Sequence, residues 1–189
     1  MEYYSFNEGY KFLVQTRDLQ EYFIPINYNS IYLKNDYVLV ESRSCKDSKY
    51  DIGIILKFEI FINKEDKNIK RIYDKIHNTN LINKKLNYDE YLFNLIKNLI
   101  ENNCDERFSI RLHGIVFEYD ENNLKIYYSQ FNSSHKFEYK YIVNYLYKNI
   151  KCRIDFIKIN NEQVKDLINN YQNFKNILTN NSSVEIKIN

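Results

Sequence analysis

The side chains able to do chemistry fall into two sets, and the first is meagre. His77, His113 and His135 lie in separate stretches, and none stands at metal-ligand spacing from Cys45, Cys104 or Cys152. No CxxC, HExxH, phosphate-cradling glycine loop or nucleophile elbow occurs, and 3 glycines leave little material for one. His113 beside Gly114 reads as a structural histidine of a strand. Glu118 and Asp120 flank a turn, where paired acids ordinarily sit in water. A catalytic protein would need a scattered set converging in space. The expectation is a non-enzyme without metal or nucleotide cofactor.

The second set is basic and aromatic. Lys64, Lys67, Lys70 and Arg71 crowd the stretch NKEDKNIKRIYDKIHNTNLINKK, and Lys151 and Arg153 open KCRIDFIK, where a period of two places them on one strand face. Lys140 and Lys148 precede them on a helix. Cations of this kind take phosphates, and tyrosine faces stack on unpaired bases. The plainer reading is abundance: with 27 Lys and Arg and 19 Tyr, many windows hold such a mixture. Residues 63–85 also have the look of a solvated connector. A net charge of +2 gives no global basic field, so RNA contact has to come from a local patch.

Positioning these residues requires a folded chain, and composition permits one. Hydrophobic residues make up 44% and aromatics 16% of the 189 positions, which excludes wholesale disorder and supplies one core of good size. Three cysteines far apart do not make a disulfide scaffold, and the opening MEYYSFNEGY does not have the pattern of a signal peptide. No apolar run reaches bilayer length. Reduced thiols in a soluble cytoplasmic protein are expected.

Periodicity then assigns elements. Residues 10–14, 22–26, 37–41 and 51–62 read as strands, with a turn at Lys34-Asn-Asp36 and Pro25 marking an edge. Tyr91, Leu92, Leu95, Ile96 and Leu99 stripe a helix over 88–103. Residues 108–159 read as strand, turn, strand, loop, helix and strand, with an irregularity at Gly114, and a helix follows from an Asn160 cap. The predicted class is α+β: an antiparallel β unit over 1–62, a charged connector over 63–87, and a ferredoxin-like split βαβ layer over 88–178. Residues 10–178 form one compact domain, and 179–189 a tail free to thread a groove.

Several blocks carry a resemblance. They are YFIPINYNSIYLKNDYVLVES (22–42), YDIGIILK (50–57), FEYD with LKIYY and FEYKYIV (117–143), and YKNIKCRI (147–154), with KRIY at 70–73. Their order and spacing over residues 10–160 resemble the C-terminal domain of the polymerase-suppressor protein family, shared with the bacterial factor RicT and trypanosomatid RNA-binding proteins. Tyr139 or Lys140 replaces that family's arginine, and the cysteine cluster that follows the domain in RicT is missing. The resemblance implies scaffolding on RNA machinery rather than catalysis. The compact, Asn- and Lys-rich form further resembles small microsporidian members that keep ribosomes dormant by occupying tRNA or mRNA sites. Ribosomal RNA and ribosomal proteins are then the partners, with no DNA or membrane. The alternative is an adapter in mRNA processing or translation control. Lys64, Lys67, Lys70, Arg71, Lys151 and Arg153 are the expected RNA-binding residues.

Overall fold

A computed structural model describes residues 9–26, 30–42, 50–60, 69–102, 110–131 and 139–184. The chain is α+β, as its two hydrophobic periods predict, and divides into two units: Met1–Thr79 with Asn169–Asn189, and Asn80–Ile168. These boundaries differ from the expected succession of β unit, connector, layer and tail, because a late helix returns to the first unit.

In that first unit five strands close a barrel: β1 (Tyr10–Gln15), β2 (Gln20–Pro25), β3 (Tyr37–Glu41), β4 (Tyr50–Ile60) and β5 (Lys70–Lys75), in the order β1-β2-β5-β3-β4. Alternation of apolar residues finds the first four. β5 is the strand it misses, because the expected connector contributes KRIYDK, of which Ile72 alone is fully buried. One isoleucine suffices there, since β2 and β3 on either side supply the rest of the wall. β5 runs parallel to β2 and antiparallel to β3, so the unit is not wholly antiparallel. Closure also removes the edge expected at Pro25, which ends β2 opposite Ile72, while Ile26 N donates to Ile72 O at 2.9 Å.

Phe12, Val14, Phe23, Val38, Val40, Ile55 and Ile72 fill the interior. Asn35, at the expected turn, takes a left-handed φ of 71°, which asparagine tolerates. The C-terminal half of α3 (Asn161–Val184) belongs to this unit, with Phe174 and Leu178 buried. Gln15 Nε2 donates to Asn170 Oδ1 at 3.1 Å, Asn170 Nδ2 to the Asp18 carbonyl at 3.3 Å, and Asn181 Nδ2 to the Tyr37 hydroxyl at 3.1 Å. Thr179 to Val184 is therefore helix rather than free tail, and 185–189 lie outside the described residues.

The second unit holds α1 (Thr79–Asn102), β6 (Ile110–Phe117), β7 (Asn123–Gln130), α2 (Lys140–Ile150), β8 (Arg153–Lys158) and the start of α3. α1 begins at Thr79, well before the expected 88. Its buried face runs Ile82, Lys85, Leu86, Asp89, Leu92 and Ile96, and the two charged members hide the stripe from a hydropathy reading. Tyr91, expected inside, is exposed.

The sheet has three strands in the order β6-β7-β8, antiparallel then parallel, with α2 as the crossover. A split βαβ layer would need a fourth strand before α1, but the residues from Ile54 that would supply it pair inside the barrel. The irregularity at Gly114 is present as a bulge between Leu112 and Gly114. Ile115, Phe117, Leu124 and Ile126 meet Leu92, Ile96, Ile142 and Leu146 on one sheet face. Gly114 points the other way, where an added Cβ would lie 3.0 Å from Leu167 Cδ2, so α3 begins over the opposite face rather than beside α1 and α2. Asn160 caps α3 as expected, its Oδ1 accepting from Gln163 N at 2.9 Å while Gln163 Oε1 accepts from Asn160 N at 3.0 Å.

Candidate nucleic-acid interface

Of the six expected RNA-binding residues four are described, two in each unit. Lys64 and Lys67 lie outside the described residues. Lys70 sits in β5, paired with the Glu21 carboxylate of β2 and held over the Phe23 ring at 5.8 Å, which makes it part of the barrel wall. Arg71 is exposed beside Glu41, whose Oε2 accepts from the Arg71 backbone N–H at 3.2 Å. Lys151 and Arg153 belong to the other unit, and not to one strand face: Lys151 closes α2 in a left-handed conformation with φ 53°, and β8 begins only at Arg153. Arg153 Nε donates to Asp155 Oδ1 at 3.0 Å.

Charge on the barrel's outer wall is largely matched sign for sign. Lys75 reaches Asp36 at 2.6 Å. Lys57 binds Glu59 at 2.7 Å, Lys11 stands 3.7 Å from the same carboxylate, and the Tyr22 hydroxyl donates to it at 2.6 Å. The hydrogen bonds from Lys57 and Tyr22 hold the Glu59 carboxyl down to about 2. A wall neutralised this way attracts a polyanion weakly.

α2 differs. Around its axis Lys140, Tyr141, Asn144, Tyr147, Lys148 and the capping Lys151 fall within about a third of the circumference, given 3.6 residues per turn. All six are exposed, Tyr141 at 50% and Tyr147 at 65%, while Ile142 and Leu146 are buried behind them. The helix contains no Asp or Glu. α1 and α3 do show acids on their exposed faces, with Lys97 and Glu101 paired at 3.8 Å on the first and Glu162 and Asp166 on the second. Sequence reasoning noted Lys140 and Lys148 but missed the stripe. Laying KYIVNYLYKNIK on a helical wheel and asking where its carboxylates lie would have found it.

Near the end of α2 lies a second aromatic feature. Tyr88 and Tyr91 of α1 stack at 6.0 Å with planes 17° apart, both partly exposed. Burial raises the Tyr88 phenol's pKa, ahead of smaller contributions from Tyr91, Cys152 and Glu121, and its ring packs 5.4 Å from Phe117, whose core cluster includes Cys152 of the α2–β8 junction. That corner is cross-linked by hydrogen bonds and ion pairs. Arg153 N donates to the Asn122 carbonyl at 3.0 Å, tying β8 to the β6–β7 turn. Beneath the turn Lys125 meets Glu118 at 3.5 Å, Lys85 donates to the Glu118 carbonyl at 3.3 Å and to Glu121 Oε1 at 2.9 Å, and Asp89 Oδ1 accepts from Phe117 N at 2.7 Å. Glu118, expected to be a solvated cap, is 0% exposed.

Other reactive groups make poorer sites. His113 Nε2 lies 2.7 Å from Ser129 Oγ, but its pKa is lowered by burial and then by Arg111, and an adjacent cation is the opposite of the carboxylate that orients a catalytic histidine. Cys152 is buried and its thiol is pushed up by that burial, which makes it a poor nucleophile; Cys45, Cys104 and His135 lie outside the described residues. Among the described residues no three His, Cys, Asp or Glu side chains group to hold a metal ion, and no helix is long and apolar enough to cross a membrane. Compared with family models, curated proteins and solved structures, the chain matches none.

Proposed function

We propose that the chain is a non-catalytic RNA-binding factor of the cytoplasm, with the ribosome as its target. It occupies tRNA or mRNA sites and keeps ribosomes inactive during dormancy. The observation that supports RNA is the outer face of α2, which carries Lys140, Lys148 and Lys151 beside Tyr141 and Tyr147 with no carboxylate on the helix. Lysines on such a face neutralise phosphates and release counterions. The choice of the ribosome rests on the resemblance to ribosome-silencing members of the polymerase-suppressor family, and ribosomal RNA and proteins follow as partners.

The exposed tyrosine faces also favour the alternative, an adapter on single-stranded messenger in mRNA processing or translation control. Sedimentation separates the two. With purified protein and vacant ribosomes on a sucrose gradient, a dormancy factor is expected in the monosome fraction, and messenger added in excess should compete it away. Protein that stays at the top of the gradient while still retaining messenger RNA would refute the ribosome and leave the adapter.

A further inference from the structure

We infer that the second unit takes unpaired RNA rather than duplex, with bases laid on tyrosine rings and the backbone on the lysines of α2. This rests on the RNA reading above and goes beyond it, because a basic face alone binds either form. The tyrosines discriminate. In a duplex the base faces are stacked on one another, leaving phosphates, 2′-hydroxyls and base edges outside, so an exposed phenol ring finds no π face along its length. In a single strand every base offers a π face, and stacking on an aromatic side chain is tolerant of sequence.

The geometry is suited to a short strand. With a rise of about 1.5 Å per residue, Tyr141 and Tyr147 stand about 9 Å apart along the axis and Lys140 and Lys148 about 12 Å, so the stripe is long enough for only a few nucleotides. Tyr88 and Tyr91 lie on α1, which shares a core cluster with Cys152 of the α2–β8 junction, and their rings are within 17° of parallel. Tyr91 is 58% exposed, and Tyr88 beneath it packs against Phe117 at 5.4 Å, so one ring of the pair is seated on the sheet and the other offers its face. Acids also approach this corner, among them Asp120 of the β6–β7 turn and Asp155, which accepts from Arg153. Glu121 is held by Lys85 at 2.9 Å, and Glu90 precedes Tyr91 on α1. The anionic backbone is therefore expected to keep to the α2 side, with bases turned toward α1.

The test is fluorescence anisotropy of the full chain with fluorescein-labelled oligo(U) and with a blunt RNA duplex of equal length. Tyr91→Leu with Tyr147→Leu should weaken oligo(U) binding about tenfold or more and leave the duplex unchanged. The matching pair Tyr91→Phe and Tyr147→Phe keeps the rings and should bind oligo(U) as wild type does, a rescue that a folding defect would not give. Changing Lys140, Lys148 and Lys151 to Gln should weaken both ligands and flatten the logarithmic salt slope for oligo(U) by about 2. Unchanged oligo(U) binding in the leucine variant, with loss in the glutamine variant, overturns the inference and spares the RNA reading. Failure of the wild type to bind either RNA overturns both. Ribosome association that survives the glutamine changes and high salt would mark a protein contact and also overturn it.

Discussion

Each unit of this chain buries an ion pair, and the two pairs are built differently. In the barrel Arg17 and Asp51 touch at 2.5 Å with side chains 0% and 3% exposed. In the layer Lys125 and Glu118 stand at 3.5 Å, 4% and 0% exposed, within a cluster that also holds Lys85. A short guanidinium–carboxylate contact is a strong charge-assisted hydrogen bond, and losing one member leaves the other charge in a dry interior. A longer ammonium contact with a second cation and carbonyl acceptors close by can be rearranged. The barrel is therefore expected to be the brittle unit and the layer the forgiving one.

The largest predicted effect tests that contrast directly. Asp51→Ala should cost about 3–5 kcal/mol of unfolding free energy, the usual penalty for breaking a buried pair. Glu118→Ala should cost less, toward the lower end of the same range, because the Lys125 contact is longer. Urea melts of both variants decide it. Equal losses, or a larger one for Glu118, would show that distance and neighbours do not set the ranking.

Two glycines repeat the contrast at smaller scale. A Cβ on Gly53 would run into Val14 Cγ1, a stiff β-branched side chain on the barrel wall, with Val38 and Val40 also close. On Gly114 its nearest neighbour would be the flexible end of Leu167 at 3.0 Å. Gly53→Ala should cost about 1–3 kcal/mol, as overpacking does, and Gly114→Ala under about 1 kcal/mol. Thermal melts that reverse the order would mean the barrel wall yields more easily than its packing implies.

The same contrast explains what the sequence makes legible. Strands β1 to β4, β6, β7 and β8 stand where their apolar residues predict them, and the Asn160 cap and the Gly114 bulge are local signals read at their own positions. What escapes reading is polar material used structurally. β5 has one buried isoleucine among charges, and α1 hides its first turns behind Lys85 and Asp89, which face inward to serve the β6–β7 turn. Arg17 and Glu118 are fully buried, a placement that composition argues against for either type. The expected RNA-binding residues carry the same lesson. Clustering in sequence picked out Lys70 and Arg71, but pairing with Glu21 and the wall of the barrel absorb the first. The α2 stripe is spread over the chain from 140 to 151 and becomes a cluster only on the folded helix.

The smallest effect separates exposed from buried pairing within the barrel itself. Lys57 and Tyr22 hold the Glu59 carboxyl at about 2, below its ordinary 4.5. A carboxyl depressed on folding adds stability that is fully present above the unfolded value and is lost as pH falls through the folded one. The Glu59 contribution should thus be constant above about pH 5 and fade between about pH 4.5 and 2. Because this cluster lies in solvent, added salt should shrink it, whereas the buried Arg17–Asp51 pair should be nearly insensitive. Melting temperatures of wild type and Glu59→Gln, taken from pH 6 to 2 at low and high salt, read both dependences. The gap between the two proteins should close as the pH falls and narrow with salt. A gap that widens on acidification would show that the Glu59 carboxyl titrates above its ordinary value, and that hydrogen bonds from Tyr22 and Lys57 do not govern it.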